Sequence, residues 1–197
     1  MDYTFIEAKD ASLVEKIYEF RYKIFLEIYP EYIKSSGFTQ NKEFDKYDEF
    51  STQFVSFDED GEISATVRLI HNSPIGYPTE NNIIFDNSMF KEDKLGEMSR
   101  IFVNPKYRNI KTTKRIIAEV KKVMYEKMRT LGIEYTYGYL EESFLRLLKI
   151  YKMCYQVIGE KQRHELFGSR YPCILYTKQL GLDNPELIKL YGTSCEK

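Results

Sequence analysis

The sequence is poor in the residues that build metal centres and disulfide frameworks. Its three cysteines, Cys154, Cys173 and Cys195, form no CxxC pair, and its two histidines, His71 and His164, lie far apart. An odd cysteine count without a secretory leader points to reduced thiols and a cytoplasmic protein. Neither histidine has ligand-type companions at metal spacing, so no metal site is expected. No apolar run approaches the roughly 18 residues of a membrane span, and Met1 to Thr4 lacks the basic and apolar regions of a leader. Neither secretion nor membrane insertion is indicated. Charge of one sign is also missing: 29 basic and 30 acidic residues leave a net charge of -1, against bulk nucleic-acid binding and disorder. No Pro/Gly/Ser-rich linker divides the 197 residues. One domain over residues 1–180 is expected, with a short, loosely attached helix and tail over 181–197.

What is present is unevenly placed. Segment 106–129 holds nine basic residues against two acidic ones, a local excess of seven, whereas segment 43–62 is acidic. The basic run is either the solvated face of a helix or a surface for an acidic partner. Tyrosine and phenylalanine number 17 and 13. Some could line a pocket, although most such rings serve as ordinary core and surface residues.

Leu95 to Arg108 (LGEMSRIFVNPKYR) is the most informative stretch, because it sets Glu97 and Arg100 inside what otherwise reads as a buried strand. Isolated charges cost several kcal/mol or more to desolvate, so they are kept where they meet each other, polar partners or a ligand. Pro105 and a basic run follow, the expected opening of a helix whose free N–H groups could face an anion.

Along the chain, residues 3 to 8 make a short strand. Asp10 or Ser12 is placed to cap a helix to about residue 28, with Leu13, Ile17, Phe20, Ile24 and Ile28 on one stripe. Arg21 falls near the margin of that stripe and so points inward, with Phe25 one turn on. Residues 29 to 50 read as a long loop with at most a short helix. Asp58-Glu-Asp-Gly61 joins two strands, 53 to 58 and 62 to 72, in a hairpin. In the second, Arg68 shares a face with Ser64 and Thr66, opposite Val67 and Leu69. Residues 73 to 94 read as irregular. Thr112 or Thr113 is the expected cap of a helix to about Leu131, whose Ile116, Ile117, Val120, Met124 and Met128 form the apolar face. A strand (Ile133 to Tyr139), a helix (about Glu142 to Met153) and strands near Gln156 to Gly159 and Ile174 to Lys178 complete the order. Such alternation predicts a mixed α/β (α+β) sheet covered by helices.

That order, with Val103, Pro105, Tyr107 and Arg108 at the fourth strand, resembles the GNAT acyltransferase fold. Phe20-Arg21 with Phe25, Glu43-Phe-Asp45-Lys-Tyr-Asp48, Val67-Arg68-Leu69 and Glu97-Met-Ser99-Arg100 are similar in order and spacing to the LuxI-type acyl-homoserine-lactone synthases and the N-acyl amino acid synthases. Leu147-Leu-Lys149, Ile158-Gly159 and Gly168-Ser-Arg170-Tyr-Pro172 resemble their C-terminal half. The resemblance implies a GNAT-like, mostly antiparallel sheet flanked by helices on both faces, with a bulge in the charged strand. It departs from the family pattern twice. There is no tryptophan at all, so Tyr32 or Phe38 would fill the position after the first helix, and Arg108 to Arg115 contains no glycine for a tight pyrophosphate loop.

Acyl transfer from a thioester to an amine needs an unprotonated amine, an aligned donor and a stabilised oxyanion. Glu97 is the candidate proton acceptor, or else an ion-pair partner closing the sheet. Arg21, Arg68 and Arg100 face Asp45 and Asp48 as counter-charges. Resemblance implies that this network, with Phe25 and Ser99, shapes the acceptor site; the alternative is a purely structural link between the 40s loop and the sheet. A bulge would also free backbone N–H groups of Ile101, Phe102 and Val103 for the thioester and pantetheine, with Arg108, Lys111, Thr112 and Lys114 beside the donor's phosphate. The expected activity is N-acyl transfer from an acyl-carrier-protein or CoA thioester to a small amino-acid-like amine, with an autoinducer-like product among the outcomes the resemblance implies. Acyl-phosphopantetheine is then a substrate rather than a tightly bound cofactor, and segment 106–129 would dock an acidic acyl carrier protein. The alternatives are an acetyl-CoA-dependent acetyltransferase and a non-catalytic thioester-binding module.

Overall fold

The computed structural model describes residues 3–38 and 40–193. Met1 and Asp2, which bear on the leader, and Cys195 lie outside the described residues.

The chain begins with β1 (Phe5–Glu7) and α1 (Ala11–Ile28), the latter capped by Asp10, whose carboxylate accepts from the Leu13 N–H at 3.1 Å. α2 (Pro30–Ser36) follows directly. β2 (Ser51–Phe57) and β3 (Ile63–His71) form the expected hairpin, its turn closed by Asp58 and by Gly61 at φ 79°. The segment expected to be irregular carries α3 (Pro78–Asn82) ahead of β4 (Leu95–Val103). α4 (Ile110–Leu131) starts earlier than expected: Asn109, not Thr112 or Thr113, is the cap, and its side chain accepts from the Thr112 N–H at 3.0 Å. Asparagine satisfies the same unpaired donors as threonine, and it stands first in the chain. β5 (Tyr135–Leu140), α5 (Glu142–Ile150), β6 (Gln156–Val157), β7 (Gln162–His164) and β8 (Gly168–Tyr176) complete the sheet. β7 escaped the sequence reading because three polar residues carry no alternation. α6 (Thr177–Asp183) and α7 (Pro185–Tyr191) end the described chain. They are held more firmly than expected, because Leu180 and Leu187 are fully buried in the cluster of Val120, Met124 and Tyr125.

The sheet order is β1-β2-β3-β4-β5-β8-β6, with β7 on β8, and every pairing is antiparallel except β4 with β5. One face, with Val67, Leu69 and Met98, packs on the apolar stripe of α4. The other bears Arg68 and Ile70 and is covered by α1, α2 and a smaller cluster of Tyr47, Tyr77, Phe90 and Tyr137. Helices thus lie on both faces of a mostly antiparallel sheet.

Two irregularities create the site. β4 and β5 pair only from Leu95–Tyr135 to Glu97–Tyr137, although β4 runs on to Val103 and β5 to Leu140. The strands part just beyond Glu97. Between β3 and β4 the register passes from Thr66–Phe102 to Arg68–Ser99, so β4 has one extra residue, and Arg100 takes the left-handed φ of 52°. No described helix is long and apolar enough to cross a membrane.

Candidate active site

Between the diverging strands and the α1–α2 layer lies a cleft of about 940 Å³. β4 supplies its floor from Glu97 to Val103, β5 supplies Tyr139 and Leu140, and α5 supplies Phe144 and Leu147. Phe25, Tyr29, Tyr32 and Phe167 form the opposite wall.

The bulge settles the parity of the charged strand. Strict alternation would send Glu97 and Arg100 to opposite faces. The extra residue instead turns Arg100 to the face of Arg68, where both guanidiniums bind Asp45, at 2.8 Å from Arg100 Nη2 and 2.7 Å from Arg68 Nη1. Arg68 Nε also donates to Ser99 Oγ at 2.9 Å. Arg21 forms a two-pronged pair with Asp48 at 2.7 and 3.0 Å and donates from Nε to Glu43 at 2.5 Å. Glu43 in turn accepts from Arg100 Nη2 at 2.7 Å. Three arginines thus meet three carboxylates, and the network is close to neutral.

Glu43 is the member that sequence reasoning left out as a site residue. It is fully buried, and its signal was its place two residues before Asp45 in the same short acidic run. Burial alone would raise the carboxyl of each acid, but arginine charges outweigh it in all three. Arg100 and Arg21 hold Glu43 down, Arg68 and Arg100 hold Asp45 down, and Arg68 and Arg21 hold Asp48 well below the carboxylate range.

Glu97 differs from these three. It is 3% exposed, and no arginine contacts it; the Thr79 N–H donates to Oε2 at 2.8 Å. Burial pushes its carboxyl up to about 7, against the opposing pull of the Thr79 N–H and the Arg68 charge. A carboxyl near neutrality beside an open cleft can take up and release a proton at physiological pH.

The aromatic wall is continuous. The Phe25 ring lies tilted at 4.9 Å from Tyr32 and edge-to-face at 5.1 Å from Phe102, and the Arg100 guanidinium lies 4.9 Å from its ring centre. Of the two residues expected in place of tryptophan, Tyr32 lines the cleft, whereas Phe38 backs it at 5.6 Å. Phe167, on the β7–β8 turn, sits 5.2 Å from both Tyr29 and Tyr32. Arg170 donates to the Tyr29 hydroxyl at 2.8 Å and to the Phe167 carbonyl at 3.1 Å. Sequence reasoning gave Phe167, Tyr29 and His164 no place in the site. Only the overall fold brings the C-terminal hairpin against α1.

Ile101, Phe102, Val103 and Arg108 line the cleft, but Lys111, Thr112 and Lys114 do not. Lys111 and Lys114 stand exposed on the first turn of α4, and the Thr112 N–H is taken by Asn109. Arg108 donates to the Val103 carbonyl at 3.0 Å and to Glu27 at 3.1 Å. Much of the basic segment has partners within the chain: Lys106 with Asp58, Lys121 with Asn184, Lys122 with Glu119 and Lys127 with Glu7. Among the described residues, no group of three or more His, Cys, Asp or Glu side chains is arranged to hold a metal ion.

A family profile described as an acetyltransferase (GNAT) domain matches residues 20–118. Comparison with the curated proteins gives no match. Solved structures resemble the chain over nearly its whole length. The CoA-dependent acyl-homoserine lactone synthase BjaI, solved with MTA, has a TM-score of 0.71 at 16% identity over 98% of this chain and 90% of its own. The synthase LasI has 0.69 at 13% identity, over 99% and 98%. FeeM, an N-acyl amino acid synthase from uncultured soil microbes, has 0.66 at 12% identity, over 95% and 96%. At these identities the likeness is one of fold.

Proposed function

The chain belongs to the GNAT acetyltransferase family, and from that premise we propose that it transfers an acyl group from a pantetheine thioester to the amine of a small amino-acid-like acceptor. The observation that carries the reading is Glu97, a buried carboxyl held near neutrality at the point where β4 and β5 part. The acceptor amine is largely protonated at pH 7, and Glu97 removes a proton from it, directly or through water. The freed nitrogen attacks the thioester carbonyl, and the bulged backbone of Ile101 to Val103 faces the oxygen that becomes anionic. Collapse of the tetrahedral intermediate forms the amide and expels the thiolate, which takes up a proton.

Asp45, Ser99 and Arg100 line the acceptor end of the cleft, Arg21, Glu43, Asp48 and Arg68 lie behind them and hold them in place, and Phe25 supplies the apolar cover. Pre-paired charges of this kind hold a substrate without moving themselves, which is what orientation requires. Tyr139, Leu140, Phe144 and Leu147 give the acyl chain an apolar lining. Arg108 stands beside the pantetheine entrance, and the exposed Lys111 and Lys114 offer charge to CoA phosphates or to an acidic acyl carrier protein. The fold neighbours' acyl-homoserine lactone and N-acyl amino acid chemistries make an autoinducer-like signal one candidate product. The glycine-free α4 start, with the Thr112 N–H already taken, favours this reading over an acetyl-CoA-dependent acetyltransferase.

The test is to incubate the protein with acyl-carrier-protein and acyl-CoA donors of varied length and a panel of amino acids and S-adenosylmethionine, reading products by mass. Glu97→Gln is expected to lower transfer by about 100- to 10,000-fold while leaving folding and donor binding intact. Full activity in that variant would sink the base assignment. No turnover with any donor would favour a thioester-binding module.

A further inference from the structure

Glu97 is hydrogen-bonded by Thr79, on an element that the sequence does not announce. α3 is five residues long and interrupts the segment between β3 and β4. Several bonds hold it in place. The Tyr77 N–H donates to Glu80 Oε1 at 2.8 Å, and the Tyr77 hydroxyl donates to the Leu95 carbonyl at 2.6 Å, two residues before Glu97. Asn81 Nδ2 donates to the Ile75 carbonyl at 2.9 Å and to the Tyr47 hydroxyl at 2.9 Å. Tyr47 lies between Asp45 and Asp48, and its own N–H donates to Asp45 Oδ1 at 2.9 Å. A continuous path therefore runs from the arginine–carboxylate floor through Tyr47, Asn81 and α3 to the Thr79 N–H and Glu97.

We propose that α3 is the positioning element for Glu97, and that Asn81, through the Tyr47 hydroxyl, is the positioning residue that aligns the Thr79 N–H on the carboxylate and fixes it relative to Asp45 and Asp48. The proposal rests on Glu97 being the base of the reaction described above. Asn81 is exposed, and α3 has few apolar anchors, so its place depends on these polar contacts. The other groups facing Glu97 are Arg68 on β3, Glu80 on α3, Tyr77, Tyr137 on β5 and Tyr155. Arg68 is occupied by Asp45, Asp48 and Ser99. None of these groups replaces the Thr79 N–H when α3 shifts.

Asn81→Ala and Tyr47→Phe cut the same bond from its two sides, Asn81→Ala losing the Ile75 contact as well, and neither removes a charge. Carboxyl-13C-glutamate NMR is expected to show the Glu97 titration midpoint rising by about one pH unit in each variant, and by no more in the double variant. The acid limb of kcat/KM should rise with it, lowering activity about fivefold at pH 7 and recovering by about pH 9. A merely structural role predicts an equal loss at every pH. An unmoved Glu97 midpoint in both variants, or a pH-independent loss, overturns the proposal. The NMR midpoint reports on positioning whether or not Glu97→Gln abolishes transfer, so failure of the base assignment is read separately.

Discussion

Arg68 and Ser99 sit directly opposite each other across β3 and β4, joined from Nε to Oγ at 2.9 Å, and the strand bulges at the very next residue. This pair is the last regular contact before Arg100 turns inward, so it marks where sheet geometry gives way to site geometry. The stability and chemistry of the site both follow from that transition.

The left-handed backbone of Arg100 has a cost that glycine does not bear. At φ 52° a side chain with a Cβ is strained by about 1 kcal/mol. Arg100→Gly and Arg100→Ala both lose the guanidinium. The glycine variant is expected to be the more stable by about 1 kcal/mol in urea denaturation. Equal midpoints would show that the bulge relaxes once Arg100 is gone.

Glu43 binds two buried or nearly buried arginines, Arg21 and Arg100. Glu43→Gln leaves these guanidiniums short of one negative charge in a dry site, which costs about 3–5 kcal/mol. Thermal or chemical denaturation followed by circular dichroism measures this. A loss under about 1 kcal/mol would mean that water reaches the network.

The same network makes the fold acid-labile. The carboxyls of Glu43, Asp45 and Asp48 titrate below their ordinary range in the folded chain. Their contribution is present above the unfolded values near pH 4 and is lost as pH falls through the folded ones. Stability should therefore drop steeply below about pH 4, and Glu43→Gln should flatten that slope.

Glu97 has the opposite sign. Its folded carboxyl is raised to about 7, so its protonated form stabilises the fold below the unfolded value near 4, and this is lost as pH rises towards 7. Glu97→Gln should match the wild type near pH 4 and exceed it by up to about 3 kcal/mol above pH 7. Stability curves that stay parallel across this range would place Glu97 in contact with water.

Phe167 closes the aromatic wall without touching the charged floor. Phe167→Ala is expected to raise KM for the acceptor about five- to thirtyfold, the effect of losing about one to two kcal/mol of ring contacts, with kcat little changed. A fall in kcat with KM unchanged would place Phe167 at the reacting centre instead.

The strand, hairpin and helix periodicities, the inward charges Arg21, Arg68, Glu97 and Arg100, and the acidic run that answers them were legible in the sequence. Alternation, apolar spacing and the cost of burying a charge are local or additive properties. The cap of α4 was misplaced because Asn109 and the threonines offer the same chemistry a few residues apart. Which carboxylate meets which guanidinium was not legible: Glu43 reaches Arg100 across 57 positions, and one inserted residue reverses the parity of β4. Nor were the roles of Tyr29, Phe167, Arg170 and Thr79, whose contacts arise only when distant segments are brought together. Residue types and periods determined that buried charges must meet somewhere in a mixed sheet. Only the tertiary structure decided that Glu97, unlike Glu43, Asp45 and Asp48, would go without an arginine, because contact between distant segments depends on strand register and helix placement, which no local pattern encodes.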